Sequence, residues 1–351
     1  MLPAIDIKVR RFGRVDWHDE RVVSKVVVQA PVRAADLGGW TDTWFAGRGL
    51  VCNVAVGPGV EVSIDGGLRG RRRLVLSALG LEFDLSTSLA LEGHPMIEAI
   101  LAAHPPMDAV DITISSDVPP GSGMGTSAAV AVALLGALRT LEGKKVDPHD
   151  LAVEAHALET STGRQSGVQD HAAAAFGGAC EVRVRYPDFD VKPIEMAAHT
   201  WTALEDRFVS VYLGRPHHSS DIHHQVIARL SDADPEPLLA PLRQLAAQGV
   251  DALRAGDLRA YARALNASVD AQQQLEPALI CADARQLVGW CRELGAAAKI
   301  NGAGGDGGSV SVLLPHDGPS RVELVRRIDE VGSWWRLGLH PTPHGVTVFQ
   351  S

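Results

Sequence analysis

The order of hydrophobic and polar residues predicts short strands interleaved with longer helices along the whole chain. Strands are predicted where β-branched residues dominate a short segment or alternate with polar residues. These segments are 22–30, 60–64, 74–77, 110–116, 180–186, 208–213 and 345–349, together with a strand–turn–strand pattern over 299–314.

Helices are predicted for the longer segments that lack internal breaks. They cover 126–142, 148–160, 170–176, 219–231, 235–255, 257–274, 277–294 and 322–331. Pro148 follows Asp147, which is the arrangement typical of a helix start, and Gly143 is a helix stop. We expect 187–200 to be a loop that joins two halves. Mixed runs of strands and helices favour an α+β fold over a strictly alternating parallel sheet.

Composition narrows the class of protein. The 351 residues include 33 Lys and Arg against 42 Asp and Glu, a net charge of −9. Such a chain lacks the basic character of a general nucleic-acid binder, but a local basic site could still hold a small anion. The length favours two domains or one large one.

The cysteines and apolar segments indicate the compartment. Cys52, Cys180, Cys281 and Cys291 show no CxxC spacing, so we expect reduced, buried thiols. Charges interrupt the first apolar stretch, and the longest apolar run, 128–138, is too short to span a bilayer. We therefore expect a soluble, cytoplasmic protein with no membrane partner.

A glycine-rich segment between a predicted strand and a predicted helix carries the clearest chemistry. It reads PPGSGMGTSA over 119–128. Alternate glycines open backbone conformations closed to other residues, and the following helix N-terminus offers free amides to an anion. Thr126 and Ser127 add hydroxyls suited to phosphate or Mg²⁺. The segment predicts phosphate binding.

Other interpretations of this segment were weighed. A P-loop requires a lysine that is missing here. A dinucleotide pattern, GxGxxA, matches at Gly123, Gly125 and Ala128. A dinucleotide site would place these glycines directly after the strand, whereas DVPPGS intervenes here, which disfavours this interpretation. A turn without a ligand remains an alternative.

The arginine-rich segment 68–73 is interpreted as a solvated loop, with a phosphate contact as the alternative.

The segment PPGSGMGTSAA resembles the second motif of the GHMP kinases, the superfamily of galactokinase, homoserine kinase, mevalonate kinase and phosphomevalonate kinase. Met124 stands where Leu is usual. The segment PVRAADLGGWTDT at 31–43 resembles the first motif, and KINGAGGDGG at 299–308 resembles the third, with Asp306 in place of a common glycine.

Two features resemble the sugar-kinase branch, which includes L-fucokinase and D-glycero-D-manno-heptose 7-phosphate kinase. These are GGWTDT at 38–43 and GVQD at 167–170, the latter followed by AAAAFGG. His171 stands where Gln is common. The chain length is nearer that of the heptose-phosphate kinases than that of the longer fucokinases.

The resemblance implies a two-lobed α+β fold with the active site in the cleft between the lobes. An N-terminal lobe, 1–190, would carry the ATP loop and the catalytic aspartate, and a C-terminal lobe would cover 191–351. The cofactors would be ATP and Mg²⁺. The ATP-binding residues would be Pro120, Gly121, Ser122, Gly123, Met124, Gly125, Thr126 and Ser127.

The resemblance also assigns catalytic and metal-binding roles. Asp170 would be the base, and Arg33 would stabilise charge on the phosphoryl group or hold Asp170 ionised. Ser127 and Glu159 would hold Mg²⁺, with Glu154 as a second choice. Other roles remain open: a surface carboxylate for Glu159, an N-cap for Asp170 and a structural salt bridge for Arg33.

The substrate-binding residues implied by the resemblance are Gly39, Trp40, Asp42, Gln169, Gly304 and Gly305. Asp42 would bind sugar hydroxyls, whereas Trp40 would either face a pyranose ring or fill the core. The cluster His217, His218, His223 and His224 lacks the spacing of a helical zinc pair. We interpret it as a segment beside the substrate, where Arg215, His217 or His218 could meet a distal phosphate or hydroxyl.

These features predict an ATP-dependent kinase that phosphorylates a sugar hydroxyl. The acceptor would be the anomeric hydroxyl of a heptose or octose phosphate or a related sugar, feeding nucleotide-sugar biosynthesis. The alternatives are an L-fucose-type free-sugar 1-kinase, a non-catalytic nucleotide or sugar binder, and a nicotinamide oxidoreductase. The partner would be a small sugar or sugar phosphate, not a nucleic acid. The sequence does not decide whether the protein forms a homodimer.

Overall fold

Two β-sheets organise the chain in this computed structural model, which describes residues 25–66, 72–86, 88–106, 109–216, 219–231 and 234–350. The strands are β1 (Lys25–Leu37), β2 (Arg48–Asp65), β3 (Arg72–Leu76), β4 (Leu81–Asp84), β5 (Val110–Ser116), β6 (Ala179–Arg185), β7 (Asp188–Pro193), β8 (Phe208–Tyr212), β9 (Ala297–Ile300), β10 (Ser309–Leu313), β11 (Trp335–Leu337), β12 (His340–Pro341) and β13 (Thr347–Gln350).

Helices pack on these sheets. They are α1 (Pro95–Ala103), α2 (Thr126–Leu141), α3 (Pro148–Ser161), α4 (Gln169–Phe176), α5 (Ala198–Arg207), α6 (Ser219–Ser231), α7 (Glu236–Ala255), α8 (Leu258–Leu275), α9 (Ala282–Glu293) and α10 (Pro319–Glu330). Short 3-10 turns cover Ser77–Leu79 and Pro277–Leu279. Among the described residues, no helix has the length and apolar character needed to cross a membrane.

The larger sheet has the strand order β13-β1-β2-β5-β3-β4, with β6 and β12 also paired to β2, and β7 paired to β6. Its pairings are antiparallel except for β3 with β5. The smaller, antiparallel sheet has the order β11-β8-β10-β9. The predicted α+β class is confirmed. Because β12 and β13 return to the larger sheet, the division of the chain at residue 190 stays a prediction.

An irregularity in β1 links the two sheets. The pairing of β1 with β2 shifts register between Ala34 and Leu37. Such a bulge frees backbone groups from the strand ladder. The N–H of Ala35 donates to Ser311 Oγ of β10 at 2.9 Å, and its carbonyl accepts from the hydroxyl of Tyr261 in α8 at 2.9 Å. The bulge is thus a docking point for the second sheet and its helix.

The alanine-rich helix α2 fills the space behind the larger sheet. Residues 128–138 are buried except Val130, and Gly136 lies against Val28 of β1. Small side chains allow this close approach, which places the N-terminus of α2 at the glycine-rich segment. Cys52, Cys180 and Cys291 are free buried thiols, and Cys281 is a free, partly exposed one.

Most predicted elements are present, but some segments differ. The segment 187–200 is not a loop, because β7 forms a hairpin with β6 and α5 follows it. The alternation that buries Phe189 and Val191 in β7 spans only a few residues, too short to stand out in the sequence. The predicted helix over 277–294 begins at Ala282, after the 3-10 turn at Pro277–Leu279. Helix α1 and strands β4, β11 and β12 were not predicted.

A buried histidine ties α1, α2 and α3 together. The ring of His104 lies 2.9 Å from Glu142 Oε1 through Nδ1 and 2.8 Å from Glu154 Oε1 through Nε2. The hydrogen bond with Glu154 is the main cause that raises the pKa of His104, against the opposing effect of burial. Arg139 also pairs with Glu154, and Lys144 with Glu142.

We expect His104→Gln to lower the free energy of unfolding by about 1–3 kcal/mol at pH 6, because charge-assisted hydrogen bonds are lost. Since the folded-state pKa is raised, this contribution is complete below the unfolded-state value of about 6.5 and disappears as the pH rises through the folded-state pKa. Urea unfolding at pH 6 and pH 9 should show the deficit shrinking at pH 9. The exposed His199→Gln is the control. An equal deficit at both pH values would contradict the prediction.

Candidate active site

A cavity of 520 Å³ opens where the glycine-rich segment meets the two loops that carry the first motif and the α3–α4 connection. The glycine-rich segment, residues 121–127, forms one wall. The other walls include 162–167, His223 and His224 of α6, Gly302 and Ala303, together with Gly39, Trp40, Asp42 and Thr43. Both halves of the chain therefore contribute to one site.

The glycine-rich segment adopts a conformation that only glycine accepts without strain. Gly121, Gly123 and Gly125 have φ angles of +70°, +76° and +76°. The segment ends at the start of α2, whose free amides attract anions. Thr126 Oγ1 is buried without a hydrogen-bond partner among the described residues. These features suit a bound phosphate.

Met124 has a structural role within this segment. Its side chain is buried, and its carbonyl accepts a hydrogen bond from the backbone N–H of Arg33 at 3.0 Å. The replacement of the usual leucine is therefore a change within the core. Pro120 does not line the main cavity.

A second cavity, of 320 Å³, adjoins the first. The two share Gly121, Thr126, Ser127 and Arg164. The second cavity is lined mainly by apolar side chains and also by Pro120. Its larger aliphatic side chains are those of Leu76, Leu79, Met96, Ile97, Ile114, Val118 and Val130.

Arg33 is the centre of a buried ionic network. Its Nε donates to Asp170 Oδ1 at 2.7 Å, and its Nη1 donates to the carbonyl of Gly123 at 2.6 Å and to Asp36 Oδ1 at 3.3 Å. Burial opposes its charge, but Asp170 and Asp36 outweigh that effect and raise the pKa of Arg33. Arg33 thus holds Asp170 against the glycine-rich segment.

A second buried ion pair, between Lys299 and Asp36, adjoins the pair of Arg33 and Asp36. Lys299 Nζ lies 3.6 Å from Asp36 Oδ2, and both side chains are about 1% exposed. Burial opposes the charge of Asp36, but Lys299 and Arg33 outweigh it and lower the pKa of Asp36. Neither Asp36, which lies inside the first motif, nor Lys299, which begins the third, was predicted to belong to the site.

Asp170 points from the first turn of α4 into the cavity, with 23% of its side chain exposed. The N-cap of α4 is Val168, so the alternative of Asp170 as the cap is wrong. A Cβ atom on Gly125 would lie 2.9 Å from Asp170 Cγ. The structure therefore brings the two predicted catalytic residues, Arg33 and Asp170, to the glycine-rich segment.

Ser127 and Glu159 also come together. Ser127 Oγ donates to Glu159 Oε1 at 2.8 Å. Glu159 is 2% exposed, so its alternative as a surface carboxylate is wrong. His171 Nε2 lies 3.1 Å from Glu159 Oε2. Burial acts to raise the pKa of Glu159, but the contacts with His171 and Ser127 outweigh burial and lower that pKa to about 2.

These two residues fit a magnesium ion that keeps water and phosphate as its other ligands. The low pKa keeps the carboxylate ionised, and both residues line the cavity, where Ser127 Oγ and Glu159 Oε1 lie 2.8 Å apart. Within the same part of the chain, no group of three or more His, Cys, Asp or Glu side chains could hold a metal by itself. The second choice, Glu154, lies outside the cavity and pairs with His104 and Arg139.

Asp42, Gln169 and Trp40 line the main cavity but not the second cavity. Asp42 accepts a hydrogen bond from the N–H of Gln169 at 3.1 Å. Burial raises the pKa of Asp42 to about 6, although this hydrogen bond acts to lower it. Trp40 is 5% exposed, lies in an apolar cluster and stacks edge-on with His223 at 5.0 Å, as in the core interpretation. Gly39 lines the same wall.

The third motif contributes different residues from those predicted. Gly302 and Ala303 line the cavity, whereas Gly304 and Gly305 pack against Leu279. The side chain of Asp306 is exposed and does not line the cavity, and its carbonyl accepts a hydrogen bond from Arg215.

Some predicted contacts fall elsewhere or outside the structure. Arg215 pairs with Asp283 at 2.8 Å and does not line the cavity. His217 and His218 lie outside the described residues, as does part of the arginine-rich segment 68–73. Its described members, Arg72 and Arg73, bond to Pro106 and Asp111 and line neither cavity.

The chain matches known proteins over this site. Residues 90–178 match the family model described as GHMP kinases N terminal domain. A bifunctional fucokinase/GDP-fucose pyrophosphorylase of Arabidopsis thaliana is 23% identical over 341 residues, which cover 89% of this chain and 32% of the relative. A mevalonate kinase of Methanothermobacter thermautotrophicus is 28% identical over 211 residues, covering 59% of this chain and 65% of the relative. The matches thus span less than two thirds of these relatives.

A solved structure extends the likeness over nearly all of the chain. A D-glycero-D-manno-heptose 1-phosphate kinase from Bacteriodes thetaiotaomicron superposes with a TM-score of 0.70 and 20% identity, covering 93% of this chain and 99% of that one. The chain therefore shares the fold of the GHMP kinases, and residues 90–178 match their N-terminal domain. The predicted resemblance to the GHMP kinases is confirmed.

We expect Gly125→Ala to reduce turnover far more than stability. The Cβ atom would strain a φ of +76° and collide with Asp170. The strain costs about 1–2 kcal/mol, whereas displacement of a reacting group by about 1 Å can cost about 100-fold in rate. Steady-state kinetics and thermal unfolding measure both quantities.

Gly143→Ala is the matched control, because Gly143 has a φ of +68° and nothing within 4 Å of its Cβ position. It should show a similar loss of stability with turnover intact. Equal turnover for the two variants would show that the contact between Gly125 and Asp170 is unimportant.

Proposed function

We propose that this protein transfers the γ-phosphate of ATP to a hydroxyl of a sugar. The observation that carries the proposal is the position of Asp170. Its carboxylate faces the cavity, lies against the glycine-rich segment and is held by the buried Arg33 at 2.7 Å. A base at the edge of a phosphate site is what a hydroxyl acceptor requires.

The nucleotide would occupy both cavities. Its phosphates would lie on residues 121–127, where backbone amides and the N-terminus of α2 favour negative charge. Its base and ribose would enter the apolar cavity of 320 Å³. The shared wall at Thr126 and Ser127 makes one molecule spanning both cavities the natural ligand.

Ser127 and Glu159 would hold Mg²⁺, which when bound supplies positive charge to the phosphate oxygens. The low pKa of Glu159, about 2, keeps this carboxylate ionised at neutral pH. His171 packs against its far oxygen and fixes the orientation of the carboxylate.

The chemistry follows from Asp170 and Arg33. The acceptor hydroxyl gives its proton to the Asp170 carboxylate while its oxygen forms a bond to the γ-phosphorus. The bond between that phosphorus and the bridging oxygen breaks, and ADP leaves. Arg33 keeps Asp170 in place through Nε and fixes the glycine-rich segment through the carbonyl of Gly123.

Unpaired polar atoms in the cavity wall support a polyhydroxylated acceptor. Trp40 Nε1, a donor, and Gln169 Oε1, an acceptor, are both buried without a partner among the described residues. Buried polar atoms are nearly always hydrogen-bonded, so a donor and an acceptor of this kind suit the hydroxyl groups of an acceptor. Asp42 adds a further acceptor nearby.

Within this class, we propose the anomeric hydroxyl of a heptose or octose phosphate as the acceptor. The sugar-kinase motifs at 38–43 and 167–170 support it, and the structural likeness to a heptose 1-phosphate kinase supports a heptose as the sugar. A free sugar such as L-fucose is the second candidate, supported by the fucokinase match. Mevalonate belongs in the test because mevalonate kinases also match.

The test is ADP release with Mg-ATP against L-fucose, galactose, heptose 7-phosphate, an octose 8-phosphate, mevalonate and homoserine. Phosphorus NMR would locate the new phosphate, which we expect on an anomeric carbon. Asp170→Asn should lower kcat by about 100- to 10,000-fold, in the range for loss of a general base, with ATP affinity retained. Turnover equal to that of the unaltered protein would remove Asp170 from the mechanism.

We expect Trp40→Phe to raise the KM for the sugar by about 2- to 10-fold, because one neutral hydrogen bond is lost. The KM for ATP should not change, since Trp40 does not line the second cavity, where the base and ribose would lie. The control is Trp44→Phe, whose side chain is 44% exposed and outside the cavity lining. If both variants behave alike, the indole N–H does not bind the acceptor.

A further inference from the structure

The cavity lining contains an arginine that the chemistry described above does not use. Arg164 lies in the connection between α3 and α4, five residues after Glu159 and six before Asp170. Its side chain is 51% exposed. Among the described residues that line either cavity, Arg33 and Arg164 carry the permanent positive charges.

The two arginines differ in how many of their N–H donors are already used in hydrogen bonds. Arg33 is buried and saturated by Asp170, Asp36 and the carbonyl of Gly123. The described contact of Arg164 is loose, with Nη1 at 3.7 Å from Glu159 Oε1. That same oxygen already accepts the shorter hydrogen bond from Ser127 at 2.8 Å. The guanidinium of Arg164 therefore keeps most of its donors for a ligand.

The position of Arg164 selects that ligand. It lines both the main cavity and the apolar cavity, as do Gly121, Thr126 and Ser127. A molecule that passes from one cavity to the other must cross this junction beside the N-terminus of α2. Arginine binds phosphate oxygens through paired N–H groups. The crossing group is therefore expected to be an anionic chain of phosphates.

We propose that Arg164 binds the polyphosphate of the nucleotide where it passes from the apolar cavity to the glycine-rich segment. This inference rests on the proposed function. Arg164 opposes the glycine-rich segment across the phosphates, so that backbone amides hold one side and a guanidinium the other. It sets the preference for nucleotides with at least two phosphates.

The test is calorimetric binding of ATP, ADP and adenosine to the full chain and to Arg164→Gln. Loss of a charge-assisted contact should weaken ATP and ADP by about 10- to 100-fold. Adenosine, which lacks phosphates, should bind within about twofold of its original affinity. Arg164→Lys should fall between, because a lysine keeps the charge but not the paired geometry.

Arg183→Gln is a matched control. Arg183 is 61% exposed and pairs with the buried Glu181, as Arg164 pairs with Glu159, but it lines neither cavity. It should leave all three affinities unchanged. Thermal unfolding of each variant reports whether the fold is intact.

Binding of ADP in EDTA separates a direct contact from an effect through Glu159. A direct contact keeps at least a fivefold difference between the unaltered protein and Arg164→Gln without magnesium. A difference that vanishes in EDTA means that Arg164 only positions Glu159, which overturns the inference. An equal loss for adenosine and ATP overturns it as well.

The same experiment distinguishes the inference from the proposed function. Tight ATP binding and sugar turnover by the unaltered protein, with no change in Arg164→Gln, would remove only the role of Arg164. Failure of the unaltered protein to bind ATP would remove both.

Discussion

The site depends on a buried cluster of charges whose members must be paired. Arg33, Asp36 and Lys299 are each no more than 3% exposed, and an unpaired ion in such surroundings costs several kcal/mol. The cations Arg33 and Lys299 face the anions Asp36 and Asp170, so the four formal charges balance. The cluster joins β1, β9, α4 and the glycine-rich segment. Correct assembly of the two sheets is therefore linked to the placement of Asp170, because a displaced partner would leave a buried charge unpaired.

The bulge at Ala35 explains how this cluster can bring together residues distant in the sequence. Its backbone N–H lies 3.3 Å from Asn301 Oδ1 and 2.9 Å from Ser311 Oγ, partners up to 276 positions away. Ser309 Oγ donates in turn to the carbonyl of Ser122 at 2.7 Å. The second sheet is thus held by hydrogen bonds to β1 and to the glycine-rich segment. This arrangement places Gly302 and Ala303 at the cavity and turns Gly304 toward Leu279.

Local signals carried most of what could be predicted from the sequence. The glycine-rich segment, Ser127 and the helix that follows are contiguous, so their joint role was visible in the motif, and the family resemblance supplied Arg33, Glu159 and Asp170. The pairing of Asp36 with Lys299 was not visible, because it depends on the docking of two sheets. Arg164 stood beside a recognised motif without being part of it, and only its position between two cavities distinguishes it from a surface arginine. Strand β7 was missed because its buried alternation is too short.

The distribution of charge along the cavity constrains the acceptor. The junction of the two cavities has backbone amides, a helix N-terminus and Arg164, whereas the main cavity also has Asp42, buried close enough to Asp170 for the two carboxylates to repel. With a pKa of about 6, Asp42 is mostly ionised at pH 7. For the proposed reaction, an acceptor would therefore present neutral hydroxyls to Asp42, and any phosphate that it carries would lie away from the reacting hydroxyl. A sugar with its phosphate on the terminal carbon and its reacting hydroxyl on the anomeric carbon meets that requirement, whereas an acceptor with a phosphate adjacent to the reacting hydroxyl would place like charges together.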